Sequence, residues 1–246
     1  AGLKVAVLER NPYIGGATVS RELHKGWYYS NCSYVCSLLR PEIARDLELP
    51  RHGLQVVPFG GGATFMRNGD HLGNYHDHDR HYREMARHSK RDANAYERYT
   101  ADVTKQTRLI RPFLMRTPPD PTSMKPRDLS DLLDFAKAFL NMGEAGLADT
   151  IAFWTKSVGD YLGEYFETDV IKAHMAGSGI IGTALGVYSP GTAYVLLHHY
   201  MGDVDGNVGS WGFARGGMGA VADAIAKAFK SYGGEIISKL KRSMTF

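Results

Sequence analysis

The residues best equipped for chemistry come early. Glu9 closes the run Leu3-Lys4-Val5-Ala6-Val7-Leu8, in which five of six residues are apolar, and a Gly15-Gly16 pair follows shortly after. A continuous apolar run of this length suits a strand covered on both faces, as in a parallel sheet. A carboxylate at the carboxyl end of the second strand of a dinucleotide-binding unit accepts hydrogen bonds from the hydroxyls of an adenosine ribose. Glu9 is therefore the first candidate for a ligand contact. The same residues also suit an ordinary buried strand with a solvated Glu9–Arg10 pair at its end. In the dinucleotide reading, a G-x-G-x-x-G loop belongs about 20 residues before such an acid. That loop is expected ahead of Ala1, with Gly2 ending the helix between them.

A second glycine-rich segment lies far along the chain, Ala214-Arg215-Gly216-Gly217-Met218-Gly219, and leads into an amphipathic run through Phe229. Free backbone N–H groups at a helix start favour an anion or the polar edge of a ligand. The triple Gly60-Gly61-Gly62 lacks the Gly-Lys-Ser/Thr of a phosphate loop and reads as a turn. Cys32 and Cys36 are the only two cysteines. Their C-x-x-x-C spacing is not that of a redox pair, so two small buried thiols in a reducing compartment are expected. His71, His76, His78, His81 and His88 gather around Asp77 and Asp79. A metal centre needs ligands that converge with one geometry, and these residues read instead as a solvated helix start capped by Asp77 or Asp79. No metal is expected, and no catalytic acid or base is named.

Positioning the candidates takes a recognisable order of elements. The strand Val5–Leu8 is followed by a turn and strand within 22–29. A helix over 34–48 carries Val35, Leu38, Leu39, Ile43 and Leu47 at helical spacing and is split at Pro41. A strand over Leu54–Pro58 precedes a hairpin over 64–76 turning at Asn68-Gly69-Asp70. Residues 80–116 read as helix with Met85, Tyr96, Tyr99, Val103, Leu109 and Ile110 inward. A proline-rich connection over 117–127 separates this from helices at 128–142, 147–166 and 170–175. Gly177, Gly179, Gly182 and Gly186 then suit either tight packing or a ligand-lining wall. A helix over 191–201, a turn-rich loop over 203–212 and a short strand at 211–213 lead back to the second glycine segment. Its helix closes at Gly233 and enters a strand at Glu235–Ile237.

The totals set bounds. At 246 residues the chain can form one large domain or two unequal ones with a sizeable core. Hydrophobic content of 43% and charged content of 22% are those of an ordinary globular protein. A net charge of +3 is too small to argue for nucleic acid. No run approaches the roughly 18 apolar residues of a membrane span, which leaves only peripheral membrane contact open. No secretion signal is visible. The expected location is the cytoplasm, or the mitochondrial matrix if the source is eukaryotic.

Glu9-Arg10-Asn11-Pro12-Tyr13-Ile14-Gly15-Gly16 resembles the flavin amine oxidase superfamily, and within it the phytoene desaturase and carotenoid isomerase-like oxidoreductases. So do Tyr34-Val35-Cys36-Ser37-Leu38-Leu39-Arg40-Pro41-Glu42, Leu47-Glu48-Leu49-Pro50-Arg51-His52-Gly53-Leu54, and Ser89-Lys90-Arg91-Asp92-Ala93. The segment from Gly216-Gly217-Met218-Gly219 to Gly233-Gly234-Glu235-Ile236 is similar to the family stretch that leaves the substrate domain for the flavin domain. Two separated motifs in the same order are more specific than either alone.

The resemblance implies an α/β protein: a partial Rossmann-like FAD-binding domain with a parallel sheet, interrupted by a mostly helical substrate or cap domain. The implied boundaries are 1–63 and 211–246 for the FAD-binding domain and 64–210 for the cap. It implies FAD as cofactor, with Glu9 on the ribose, Arg10 and the Gly15-Gly16 backbone near the diphosphate, and Gly216, Gly217 and Met218 beside the flavin ring. Ala17 stands where amine oxidases often carry Arg. The implied reaction is hydride transfer from a small apolar or polyene-like substrate to flavin N5, and a homo-oligomer is open. The family would continue past Ile237 to a late glycine motif. Two other readings stay open: a truncated, non-enzymatic remnant or interaction protein that holds no flavin, and an NAD-binding dehydrogenase.

Overall fold

The computed structural model describes residues 2–240. Ala1 and the tail Lys241-Arg242-Ser243-Met244-Thr245-Phe246, with the last part of the 211–246 segment, lie outside the described residues. The chain divides into two compact units, residues 1–59 with 202–246, and residues 60–201.

The first unit opens with β1 (Ala6–Leu8), a 3-10 turn at Gly16–Thr18, β2 (Ser20–His24), β3 (Trp27–Ser30), α1 (Pro41–Asp46) and β4 (Val56–Pro58). The second unit contains β5 (Gly61–Phe65), β6 (His71–Tyr75), α2 (His78–His88), α3 (Lys90–Ile110), α4 (Pro126–Leu140), α5 (Gly143–Thr155), α6 (Val158–Gly163), α7 (Asp169–Ala176) and α8 (Thr192–Tyr200). The chain then returns to the first unit through β7 (Asp203–Val204), β8 (Asn207–Val208), β9 (Gly212–Ala214), α9 (Gly219–Ser231) and β10 (Glu235–Ile237). The expected α/β class with a parallel element and a mostly helical insertion is what forms.

In the first unit β1 pairs in parallel with β10, Val7 opposite Ile236. The hairpin β2–β3 sets Ser20 opposite Ser30, and β4 runs antiparallel to β9. The core of this unit joins Cys36, Leu49 and Leu54 to Ala214, Met218, Val221, Ala224 and Ala228. Val221, Ala224 and Ala228 share one face of α9 at helical spacing, and their small side chains let it lie close to its neighbours. One sequence expectation fails here. Ala6–Leu8 is exposed rather than covered on both faces, with Val7 43% and Leu8 64% accessible. Strand side chains point to the two faces of a sheet, and among the described residues β1 pairs with β10 alone in a two-stranded sheet too narrow for either face of β1 to be covered.

The second unit is built around Tyr99, whose ring is fully buried and meets Tyr96, Tyr161, Tyr165, Phe166 and Tyr200. Two helices expected to be continuous are broken by the same device. Residues 80–116 divide at Ser89, which is extended and accepts the Asp92 N–H at 3.1 Å. Residues 147–166 divide at Ser157, also extended, which accepts the Asp160 N–H at 3.0 Å. Both are Ser-x-x-Asp, a helix-start pattern that outweighs the helical spacing running through it. The helix expected over 34–48 is shorter than predicted. Pro41 begins α1 rather than splitting a longer helix, because proline fits the first helical position. Gly179 is packed tightly on Val158, whereas Gly177 and Gly182 face open space.

Candidate functional site

The predicted contacts of the first unit come from both ends of the sequence. Glu9 follows β1 and its N–H donates to Ile237 O at 2.8 Å, so the end of β1 is tied to the end of β10. Its carboxylate Oε1 accepts the Asn11 N–H at 2.7 Å, and Oε2 accepts no hydrogen bond among the described residues. The side chain is half-buried, so a carboxylate oxygen remains for a ligand at the carboxyl end of a parallel strand, where open α/β sheets hold ligands. Arg10 and Ala17 are exposed. Ala17 contributes its carbonyl to Ser33 N–H.

Gly15 and Gly16 behave differently. Gly15 has φ +111°, and a Cβ there would sit 3.0 Å from Ala222 Cβ on α9. This glycine therefore seats the turn after β1 directly on α9. A Cβ on Gly16 would meet nothing within 4 Å, so its backbone faces open space, as a close-approaching diphosphate requires.

The second glycine segment lies against the β2–β3 hairpin. Ser30 Oγ accepts the Met218 N–H at 2.9 Å, and Ser20 Oγ accepts the Gly219 N–H at 3.0 Å. The two hydroxyls lie 2.9 Å apart. Ala220 and Val221 N–H groups turn back to Gly217 and Met218 carbonyls. The amides expected to be free at this helix start are thus already bonded within the protein, and what remains for a ligand is the positive end of the helix dipole. Met218 is 6% exposed and its side chain belongs to the core. Gly216 is exposed, and Gly217 is pressed against the Ser20 hydroxyl.

A cavity of about 390 Å³ runs along α9 between Gly219 and Lys230, walled by Pro12, Tyr13, Ile14, Val19, Ser20, Asp223, Ile236 and Ser238. It joins the turn after β1, the start of α9 and the end of β10. Asn11, Ser20, Ser30 and Asp223 were not singled out by sequence reasoning. No motif announces the serines, because only strand pairing and the return of α9 bring them together.

Elsewhere, Cys32 is exposed and only Cys36 is buried, against the expectation of two buried thiols. Cys32 lies on the short connection after β3, outside the core that Cys36 helps to form. Asp77 caps α2 by accepting the Arg80 N–H at 2.7 Å. His81 is buried against Tyr96 while His78 lies exposed beside Asp79 and Glu97. No helix among the described residues is long and apolar enough to cross a membrane.

No protein-family model matches the chain. It is 35% identical to mouse (Mus musculus) pyridine nucleotide-disulfide oxidoreductase domain-containing protein 2, across 97% of this chain and 43% of that protein. The rat (Rattus norvegicus) protein of the same name is 34% identical over the same shares. The chain thus spans less than half the length of these relatives. A solved structure of putrescine oxidase, wild type bound to putrescine, superposes with a TM-score of 0.50 at 15% identity. That match covers 97% of this chain and 46% of the other and shows a shared fold.

Proposed function

We propose that this chain carries part of an FAD-dependent oxidoreductase, with residues 1–59 and 202–246 holding the cofactor and residues 60–201 meeting the substrate. The carrying observation is the cavity that joins the turn at residues 12–14 after β1, the start of α9 and the end of β10, with the half-buried Glu9 at the end of β1 tied through its N–H to Ile237 O and bearing an unused carboxylate oxygen. The relatives named as oxidoreductases support the same reading. The residues fit the cofactor's chemistry. Glu9 accepts hydrogen bonds from ribose hydroxyls, the Gly15-Gly16 turn approaches the diphosphate with Arg10 nearby and Ala17 alongside, and the backbone of Gly216 and Gly217, with the Met218 side chain turned into the core behind them, borders the ring. FAD, when bound, supplies a hydride acceptor at flavin N5. The protein's share is to position a small apolar or polyene-like molecule and to exclude water.

The test is FAD titration of the 246-residue chain, followed by absorption. Bands near ~370 and ~450 nm that bleach on reduction are expected. Glu9→Gln should weaken FAD binding by about tenfold or more, since a charge-assisted hydrogen bond is worth roughly 1.5–3 kcal/mol. A folded chain that leaves excess FAD unbound would refute the proposal.

A further inference from the structure

The second unit holds a cavity of about 270 Å³ between α3, α5 and the residues around α6, which the flavin reading does not use. At its wall Gln106 is 6% exposed. Its Nε2 donates to Thr150 Oγ1 at 3.2 Å, while Oε1 has no hydrogen-bond partner. Tyr161, 4% exposed, lines the same space, and its hydroxyl lies beside Tyr165 without a hydrogen bond of ordinary geometry. Buried polar atoms in folded proteins are nearly all paired, so two orphans on one cavity mark a place where something else completes them.

The lining charge says what that something is. Asp102 accepts one hydrogen bond, from the Tyr165 hydroxyl at 2.7 Å. Asp149 stands at the exposed rim, and among the described residues neither carboxylate has an ion-pair partner. Lys156 is already neutralised by Glu164, which leaves Lys105, on the exposed side of α3, as the opposing charge. Three carboxylates therefore face two ammonium groups. The missing partners are hydrogen-bond donors carrying positive charge. Phe153, Tyr161 and Tyr165 supply aromatic surface of the kind that attracts a cation. A bare metal ion is disfavoured, because no group of His, Cys, Asp and Glu among the described residues could hold one. At ~30 Å³ for each water, the space has room for about nine, so the occupant has few heavy atoms.

We propose that this cavity binds a small organic cation through a primary ammonium group. The ammonium donates to Gln106 Oε1 and the Asp102 carboxylate, and a short alkyl chain lies on Phe153. The proposal is independent of the flavin reading and stands or falls without it.

The test is a calorimetric and NMR titration of the 246-residue chain with propylammonium, 1-propanol and propionate at constant ionic strength. Saturable binding of propylammonium is expected, at least about tenfold tighter than either of the others. Gln106→Leu should weaken it about tenfold with an unchanged helical circular dichroism spectrum, and Asp149→Asn should weaken it a few-fold. An equal response to all three ligands, or none to propylammonium, overturns the proposal whatever the variants do. So does a folded Gln106→Leu chain that binds propylammonium as the parent does.

Discussion

Gly216 and Gly217 are adjacent and share a left-handed backbone, with φ +87° and +82°, yet their surroundings separate them. A methyl group on Gly216 meets only Ala220 Cβ at 3.9 Å, whereas one on Gly217 drives into the Ser20 hydroxyl that caps α9. Gly216→Ala is expected to cost about 1 kcal/mol from backbone strain alone. Gly217→Ala adds the loss of a helix cap and should cost about 2–3 kcal/mol. Urea unfolding of the two variants side by side measures the difference, and equal costs would contradict the serine-capped arrangement. The sequence makes both glycines visible. It does not say which one is pinned, because the pinning atoms are nearly 200 residues away in Ser20 and Ser30.

At the scale of elements, the Ser89-Lys90-Arg91-Asp92-Ala93 segment has a structural explanation. Ser89 starts α3, and Asp92 is fully buried with its two oxygens on the N–H groups of Glu167 and Thr168, at 2.8 and 2.9 Å. One carboxylate thereby holds the turn between α6 and α7 onto α3. Arg91 reinforces the same turn through Glu167. Asp92→Ala, which leaves both amides without their acceptor, should cost about 2 kcal/mol or more in thermal or urea melts. Asp92→Asn, with one acceptor oxygen left, should cost less. The sequence carries Ser-x-x-Asp at Ser89 and at Ser157, but the helical spacing running through both hid these starts. The long-range bonds of Asp92 were not legible either, since nothing local distinguishes a capping acid from one that reaches across the fold.

For the whole molecule, the continuous stretch 60–201 has its own core around Tyr99 and should fold cooperatively when expressed alone. It also carries a source of acid sensitivity in His81 and His174. Burial, with His174 and His78 nearby, holds the His81 ring below the usual histidine range against a weaker opposing pull from Glu84. Burial lowers His174 as well, whose Nδ1 lies 2.7 Å from Thr64 Oγ1. Both stay neutral in the folded state at a pH where the unfolded chain, with histidine near ~6.5, takes up protons. Stability present above that value is therefore lost as pH falls below it, by about 1.4 kcal/mol per pH unit for each histidine until its own folded value is reached. Urea midpoints of the 60–201 piece at pH 7.5 and 5 should show the loss, and His81→Phe should reduce it. A midpoint unchanged by acid would refute a buried neutral His81 and a half-buried neutral His174.

The sequence by itself determined local events: the strands β1 and β10, the turn at Gly69, the Asp77 cap, the Gly233 helix end and the order of two glycine segments around a helical middle. These follow from backbone preferences and from side chains that act within a few residues. Only the tertiary structure decided which surfaces those elements bury. Among the described residues it left β1 with one partner strand, turned Cys32 outward, placed Met218 in the core, spent the first amides of α9 on Ser20 and Ser30, and left Gln106 Oε1 unpaired beside Asp102. Each of these depends on which distant segment arrives at a given face, and burial and pairing between distant segments leave no periodic trace in the chain.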